Sequence, residues 1–83
     1  MIEKIKNVRI YVNGEVKIVE KEKITYEEAI VLAFGQYIES DTINYTVTYF
    51  KGHSDKPTGY LLKGQSVMVK KEMRINVTRT NRS

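Results

Sequence analysis

Alternating hydrophobic and polar positions predict a β-hairpin near the start of the chain. Residues 8–12 alternate in this way, and residues 16–18 continue the pattern after a short break. The break is Asn13-Gly14, a dipeptide that favours a type I′ turn because both central residues of that turn need a positive φ angle. The sequence therefore predicts two antiparallel strands joined by a two-residue turn.

A short amphipathic helix is predicted next. Thr25 and Glu28 have the spacing of a capping box, in which each side chain accepts a hydrogen bond from the other residue's backbone N–H. Gly35 stands where a helix commonly ends in the left-handed conformation. A helix of about nine residues depends on docking against a sheet, because its own propensity is too small. Its hydrophobic residues recur at spacings of three and four: Tyr26, Ala29, Ile30, Ala33 and Phe34.

The second half of the chain contains further predicted strands. Residues 43–50 alternate and are rich in aromatic and β-branched side chains, and residues 73–77 alternate in the same way. Residues 61–62 and 67–69 are shorter hydrophobic segments. Residues 51–59, which contain a proline and two glycines, are expected to form an exposed loop, with Gly59 as a turn residue.

This order predicts an α+β fold of the β-grasp (ubiquitin-like) type. The pattern ββαββ(β) gives a mixed sheet with one helix packed across it, and the two terminal strands lie side by side. We expect one domain over residues 1–77 and a C-terminal tail over residues 78–83. The expected core between helix and sheet contains Ile30, Phe34, Val47, Ile75 and Val77.

Composition and charge exclude several classes of protein. The chain has 83 residues, no cysteine and a net charge of +4. This length predicts a single domain, and the absence of cysteine excludes disulfides and thiolate metal sites. The longest uncharged stretch, residues 29–38, is far shorter than the roughly 20 apolar residues of a membrane span. The N-terminus also lacks the apolar segment of a secretory signal. We expect a cytoplasmic protein with no membrane association.

No set of residues predicts catalysis, a metal or a cofactor. His53 is the only histidine, and it stands beside Ser54 and Asp55 in the expected loop. Neighbouring loop residues cannot converge as the three members of a hydrolase triad do. One histidine without cysteine also falls short of the three protein ligands of a catalytic zinc. We therefore expect a protein that is not an enzyme.

Several segments resemble the bacterial multi-ubiquitin domain family. They are the helix block Ile-Thr-Tyr-Glu-Glu-Ala-Ile-Val-Leu-Ala-Phe-Gly at residues 24–35, Thr-Val-Thr-Tyr at 46–49, Gly-Gln-Ser-Val at 64–67 and Asn-Val-Thr-Arg-Thr at 76–80. The resemblance extends from about Val8 to Ser83. It implies a ubiquitin-like protein modifier of a bacterial conjugation system. It also implies partners: ubiquitin-activating-like and ubiquitin-conjugating-like enzymes, a JAB-type or other deconjugating peptidase, and target proteins. Such systems have been associated with antiviral defence.

The resemblance places the conjugation chemistry in the C-terminal tail, which consists of Arg79, Thr80, Asn81, Arg82 and Ser83. Ubiquitin ends in Gly-Gly, which lets its tail enter a narrow channel of the activating enzyme, whereas this chain ends in Asn-Arg-Ser. Three explanations stay open. The partner enzymes accept a bulkier tail, the chemistry differs, or the chain is a precursor or part of a longer one.

Two other functions compete with the modifier. One is a β-grasp interaction module that is not conjugated and binds partners through exposed strand positions: Tyr11, Thr46, Thr48 and Met68. The other is a weak nucleic-acid-binding domain that stacks bases on the aromatic row of Tyr45 and Tyr49. The Lys and Arg residues are interleaved with acidic residues, so charge does not favour nucleic acid.

Overall fold

The computed structural model describes residues 7–51 and 58–81. The predicted loop residues His53, Ser54 and Asp55, and the tail residues Arg82 and Ser83, lie outside this part of the chain. In chain order the described elements are β1 (Val8–Val12), β2 (Glu15–Val19), β3 (Lys23–Thr25), α1 (Tyr26–Phe34), β4 (Ile43–Phe50), β5 (Thr58–Leu61), β6 (Ser66–Met68) and β7 (Arg74–Asn81).

The main sheet is mixed and has the strand order β2-β1-β7-β4-β5. The first and last strands, β1 and β7, pair in parallel, and the other neighbours pair in antiparallel fashion. Helix α1 packs across one face of the sheet. The α+β prediction and the side-by-side terminal strands of a β-grasp fold are confirmed.

The hairpin and the helix have the predicted ends. Asn13 and Gly14 have φ angles of 51° and 83°, and Val12 faces Glu15 across the turn. The Glu28 N–H donates to Thr25 Oγ1 at 3.1 Å, and the Thr25 N–H donates to Glu28 Oε1 at 2.9 Å. Gly35 ends the helix at φ 84°, with its N–H donating to the Val31 carbonyl. A side-chain capping box therefore sets the start of the helix, and a glycine in the left-handed conformation sets its end.

The core differs from the prediction at Phe34. Ile30, Val47, Ile75 and Val77 are buried, whereas Phe34 is 40% exposed. Phe34 is the last helical residue, so its ring lies at the perimeter of the helix–sheet interface. There its ring packs against the Tyr45 ring, with the two centroids 6.1 Å apart. The Arg79 guanidinium lies 5.8 Å from the Phe34 ring centroid.

Two short strands form a second sheet that the sequence pattern did not predict. Ile24 of β3 faces Val67 of β6, and both are buried. Three residues are too few for an alternating pattern to be recognised. Gly59 was expected in a turn, but it lies in β5 opposite Tyr49. A Cβ atom there would stand 2.8 Å from the Tyr49 hydroxyl, so the absence of a side chain makes room for the tyrosine.

The last strand is longer than predicted. It continues past the expected boundary at Val77 to Asn81, and Thr78 to Asn81 pair with Thr46 to Ile43 of β4. These residues are exposed, so burial gave no signal for a strand. Backbone pairing with β4 and the β-branched Thr78 and Thr80 explain the extension. Residues 78–81 are therefore part of the sheet and not of a tail.

The turn residue Asn13 also joins the two terminal strands. Val77 N–H donates to Asn13 Oδ1 at 2.8 Å, and Asn13 Nδ2 donates to the Val77 carbonyl at 3.1 Å. Direct β1–β7 pairing ends at Val12 and Ile75. The Asn13 amide therefore adds one further step to this parallel pairing and satisfies two backbone groups of a buried residue.

We predict that Ile30→Ala lowers the free energy of unfolding by about 2–5 kcal/mol, because Ile30 is fully buried and the change leaves a cavity. Phe34→Ala is the comparison, and its cost should be clearly smaller because the ring is partly solvated. Urea denaturation measures both. A larger loss for Phe34→Ala than for Ile30→Ala would contradict the placement of the helix.

We predict that Asn13→Gly lowers the free energy of unfolding by about 1–3 kcal/mol, the usual net contribution of two hydrogen bonds. Glycine adopts the positive φ angle of this turn without strain, so the change removes the bonds to Val77 and keeps the turn. Urea denaturation gives the loss. Unchanged stability would show that the Asn13 side chain contributes only to the turn.

Candidate functional site

The face of the main sheet opposite α1, called the outer face below, brings together most of the predicted interaction residues. Tyr11 of β1 and Thr46 and Thr48 of β4 alternate with buried core residues and so point away from the helix. Met68 is exposed but belongs to β6 of the second sheet. Three of the four predicted residues therefore share one surface, and the fourth does not.

A polar cluster fixes Tyr11 at one end of the outer face. Its hydroxyl donates to Glu72 Oε1 at 3.0 Å, and Arg9 Nε donates to Glu72 Oε2 at 2.8 Å. The Arg74 guanidinium lies 5.9 Å from the Tyr11 ring centroid. The Arg9 hydrogen bond, followed by that of Tyr11, lowers the pKa of Glu72 below its ordinary value. The carboxylate, in the turn before β7, is thus held charged beside β1.

The outer face also carries exposed hydrophobic side chains. Ile18 of β2 is 57% exposed, Phe50 of β4 is 41% exposed and Tyr60 of β5 is 68% exposed. Their register partners Arg9, Arg74 and Thr48 lie on the same face. In the described part of the chain, α1 packs on the opposite face only. An uncovered surface of mixed hydrophobic and polar side chains is suited to binding another protein.

The basic residues of this face do not form a broad positive patch. Arg9 is paired with Glu72, which leaves Arg74 and Lys51 beside the Tyr11 and Phe50 rings around a depression. Tyr45 and Tyr49 of the proposed stacking row lie on the face that packs towards the helix, and Tyr49 is only 7% exposed. The predicted aromatic platform for nucleic acid is therefore not available on that row.

Three of the five predicted conjugation residues are described, and they occupy the far end of β7. Arg79, Thr80 and Asn81 pair with Tyr45, Asn44 and Ile43. On the other side β1 has already ended, at Val12. Because the backbone groups of Ile75 and Val77 point towards β1 and Asn13, those of Arg79 and Asn81 point the same way, where no described strand pairs with them. The end of β7 thus forms a two-stranded ribbon with β4, and its β7 edge is open in the described part of the chain.

An aromatic cluster supports this ribbon on its helix side. The Tyr45 ring lies between those of Phe34 and Tyr37, with centroid distances of 6.1 and 5.6 Å. Tyr45 also accepts the Ile38 N–H at its hydroxyl, at 3.2 Å. Arg79 completes the cluster over Phe34. The cluster therefore fixes the position of the end of β7 relative to the end of the helix.

The described residues contain neither a metal-binding cluster nor a membrane-spanning helix. Within residues 7–51 and 58–81, no three acidic, histidine or cysteine side chains come close enough to hold a metal ion. No helix in the same part of the chain has the length and hydrophobicity needed to cross a membrane.

The fold and the uncovered outer face define a ubiquitin-like domain of the β-grasp type. The family model described as Multiubiquitin matches residues 8–81, which is nearly the whole chain. The chain therefore belongs to the multiubiquitin family. Neither the curated proteins nor the solved structures gave a significant match.

Sequence reasoning missed some residues of the outer face. They are the two register partners of Thr48, which are Asn76 on β7 and Tyr60 on β5. The alternating pattern of β7 could have identified Asn76, because it lies between the hydrophobic Ile75 and Val77, which are buried. Tyr60 had no such signal, because the strand that contains it is only four residues long.

Proposed function

We propose that this domain is a ubiquitin-like protein modifier of a bacterial conjugation system, attached to its targets through the residues that follow β7. Membership of the multiubiquitin family and the position of β7 support the proposal. The proposed partners are a ubiquitin-activating-like enzyme, a ubiquitin-conjugating-like enzyme and a deconjugating peptidase of the JAB type or another class. A cytoplasmic location and a role in antiviral defence belong to the same proposal.

The observation that carries the proposal is the path of the last strand. β7 is the middle strand of the main sheet, and it runs on past the end of β1 as a ribbon with β4. Asn81, the last described residue, therefore lies at a defined point, at the end of β7 and beyond the Asn13-Gly14 turn. A folded domain whose last strand ends at one side of the sheet is suited to a modifier. Enzymes would recognise its surface and link its C-terminal carboxyl group to a target.

The proposed chemistry needs no catalytic group on this chain. A terminal carboxylate oxygen bonds to the α-phosphorus of ATP, and the bond from that phosphorus to pyrophosphate breaks. A cysteine thiolate of the activating enzyme then attacks the acyl carbon and releases AMP, which leaves a thioester. Later steps transfer the same acyl group to a target amine. The modifier's own contribution is recognition and access.

The second candidate is an interaction module that is not conjugated. The exposed Ile18, Phe50 and Tyr60 on the outer face favour it, because an uncovered hydrophobic surface binds partners without any covalent step. Tyr11, Thr46 and Thr48 would then contribute contacts on the same face. The same surface also serves a modifier, so covalent transfer is what separates the two functions.

We predict that the full chain forms a thioester with a ubiquitin-activating-like enzyme of the same genome when ATP is added. Mass spectrometry detects the adduct, and dithiothreitol should remove it. The matched control carries a C-terminal carboxamide made by semisynthesis, which leaves the fold unchanged and removes the reacting oxygen. It should form no adduct.

A chain that ends at Asn81 is the second comparison. It retains all of β7, so circular dichroism should show an unchanged fold, and failure to react would place the reacting group after the strand. A reaction only after trimming by a peptidase would identify the chain as a precursor. If no form becomes covalently linked, the modifier proposal is wrong and the interaction module replaces it.

A further inference from the structure

The Asn13-Gly14 turn carries a chemically reactive pair of residues at the contact between β1 and β7. An asparagine side chain loses its amide nitrogen when the next backbone nitrogen attacks its carbonyl carbon. A glycine in the next position favours this attack, because it has no side chain to shield the nitrogen. Asn13 is the only asparagine in the sequence that precedes glycine, since the other four precede valine, tyrosine or arginine. The reaction is therefore favoured at this one position.

The folded chain holds the Asn13 side chain away from this reaction. Its Oδ1 accepts from the Val77 N–H at 2.8 Å, and its Nδ2 donates to the Val77 carbonyl at 3.1 Å. The backbone N–H of Asn13 also donates to the Ile75 carbonyl, at 2.9 Å. For the reaction the side-chain carbon must bond to the Gly14 nitrogen and Nδ2 must leave. Both side-chain hydrogen bonds must break first, so the contact with β7 protects Asn13.

The protecting contact is short. Direct pairing of β1 with β7 comprises two register pairs, Tyr11 with Arg74 and Val12 with Ile75. Asn13 follows them at the end of the contact, and it lies in an exposed turn. The end of a short pairing opens with a smaller free energy than the whole domain does. Local opening therefore releases the Asn13 amide while the rest of the sheet stays folded.

We propose that Asn13 is a modification site that becomes reactive when the β1–β7 contact opens, and that its modification stops the contact from closing as before. The Gly14 nitrogen bonds to the side-chain carbonyl carbon of Asn13, and the bond from that carbon to Nδ2 breaks. Nδ2 leaves as ammonia and takes the proton of the Gly14 N–H. Water then opens the cyclic imide. Opening at the former side-chain carbonyl gives aspartate, and opening at the main-chain carbonyl gives isoaspartate.

Both products disrupt the bonds to β7. Aspartate still accepts from the Val77 N–H, but a carboxylate oxygen replaces the Nδ2 donor opposite the Val77 carbonyl, and two acceptors without a proton repel each other. Isoaspartate carries the main chain through its side chain, which lengthens the turn. Ammonia is lost to solvent, so the change is one-way. Because β1 and β7 are the neighbours that join the hairpin to the other three strands, the modified chain has a permanently weakened sheet.

The test compares modification of the full chain with that of a peptide of residues 10–17, in buffer near neutral pH. Mass spectrometry detects the exchange of amide for acid, and digestion locates it. We expect the folded chain to react about tenfold more slowly than the peptide, or slower still, because only its opened fraction reacts. The chain unfolded in urea should react as fast as the peptide, and all modification should lie at Asn13.

A change at the other end of the contact separates local opening from unfolding of the whole domain. Glu72→Ala removes the bonds to Arg9 and Tyr11, and it should speed modification about two- to fivefold, the effect of losing an exposed ion pair. The matched control, Glu39→Ala, removes the exposed pair with Lys63 and should leave the rate unchanged. Tyr11→Phe removes only the hydroxyl bond to Glu72 and repeats the test if Glu72→Ala does not fold.

The consequence of modification is measured separately, by urea denaturation. Asn13→Asp is a stable substitute for one product, and its urea midpoint should be lower than that of the unchanged chain. The purified modified chain should show at least as large a decrease, because its isoaspartate fraction also alters the turn.

Three results would overturn the inference. Equal rates in the folded chain and the peptide would show that the contact with β7 gives no protection. Equal rates in the folded Glu72→Ala and Glu39→Ala variants would show that the contact does not open by itself. A modified chain as stable as the unchanged one would exclude the one-way effect. None of these results depends on adduct formation, so the proposed modifier function is tested separately.

Discussion

The parallel pairing of β1 with β7 is the constraint on which the rest of the fold depends. Each strand belongs to a local antiparallel unit, β1 with β2 and β7 with β4, and only the β1–β7 contact joins these units into one sheet. Parallel strands need a long crossover, and here the crossover contains the helix. Side chains reinforce the contact at both ends: Asn13 bonds to Val77, and Glu72 bonds to Arg9 and Tyr11.

Features coded by neighbouring residues were predictable from the sequence. Asn13-Gly14 specifies its turn, and Thr25 with Glu28 specifies the start of the helix, because each involves groups at most three residues apart. The alternating pattern of residues 43–50 likewise identified β4 and separated Thr46 and Thr48 from the core. The order of these elements then predicted the β-grasp topology, and the family resemblance implied the same fold.

Features that depend on distant partners were not predictable. A strand around Met68 was expected, but β3 and its pairing with β6, some forty residues away in the chain, were not. Residues 78–81 bury little surface, and their place in the sheet comes from β4. Phe34 matches the helical stripe, yet it lies at the end of the helix where the sheet no longer covers it. In each case tertiary context decides what periodicity cannot.

The fold separates three surfaces that a modifier can use at the same time. The outer face carries Tyr11, Thr46 and Thr48, the β2 edge borders a groove beside α1, and the end of β7 forms an exposed ribbon with β4. Under the proposed function, recognition on the first two surfaces leaves the third free for covalent transfer. The length of β7 is central to this division, because it sets how far the paired strand extends beyond the end of β1.

Amide hydrogen exchange at the end of β7 tests this account most directly. Even-numbered residues of β7 direct their backbone groups to β4, and odd-numbered residues direct theirs to the side where β1 ends. The account predicts slow exchange at Thr78 and Thr80, slow exchange at Val77 because of Asn13, and fast exchange at Arg79 and Asn81. Uniformly fast exchange from Thr78 onwards would show a free tail that begins at Thr78, and would contradict the extension of β7 to Asn81.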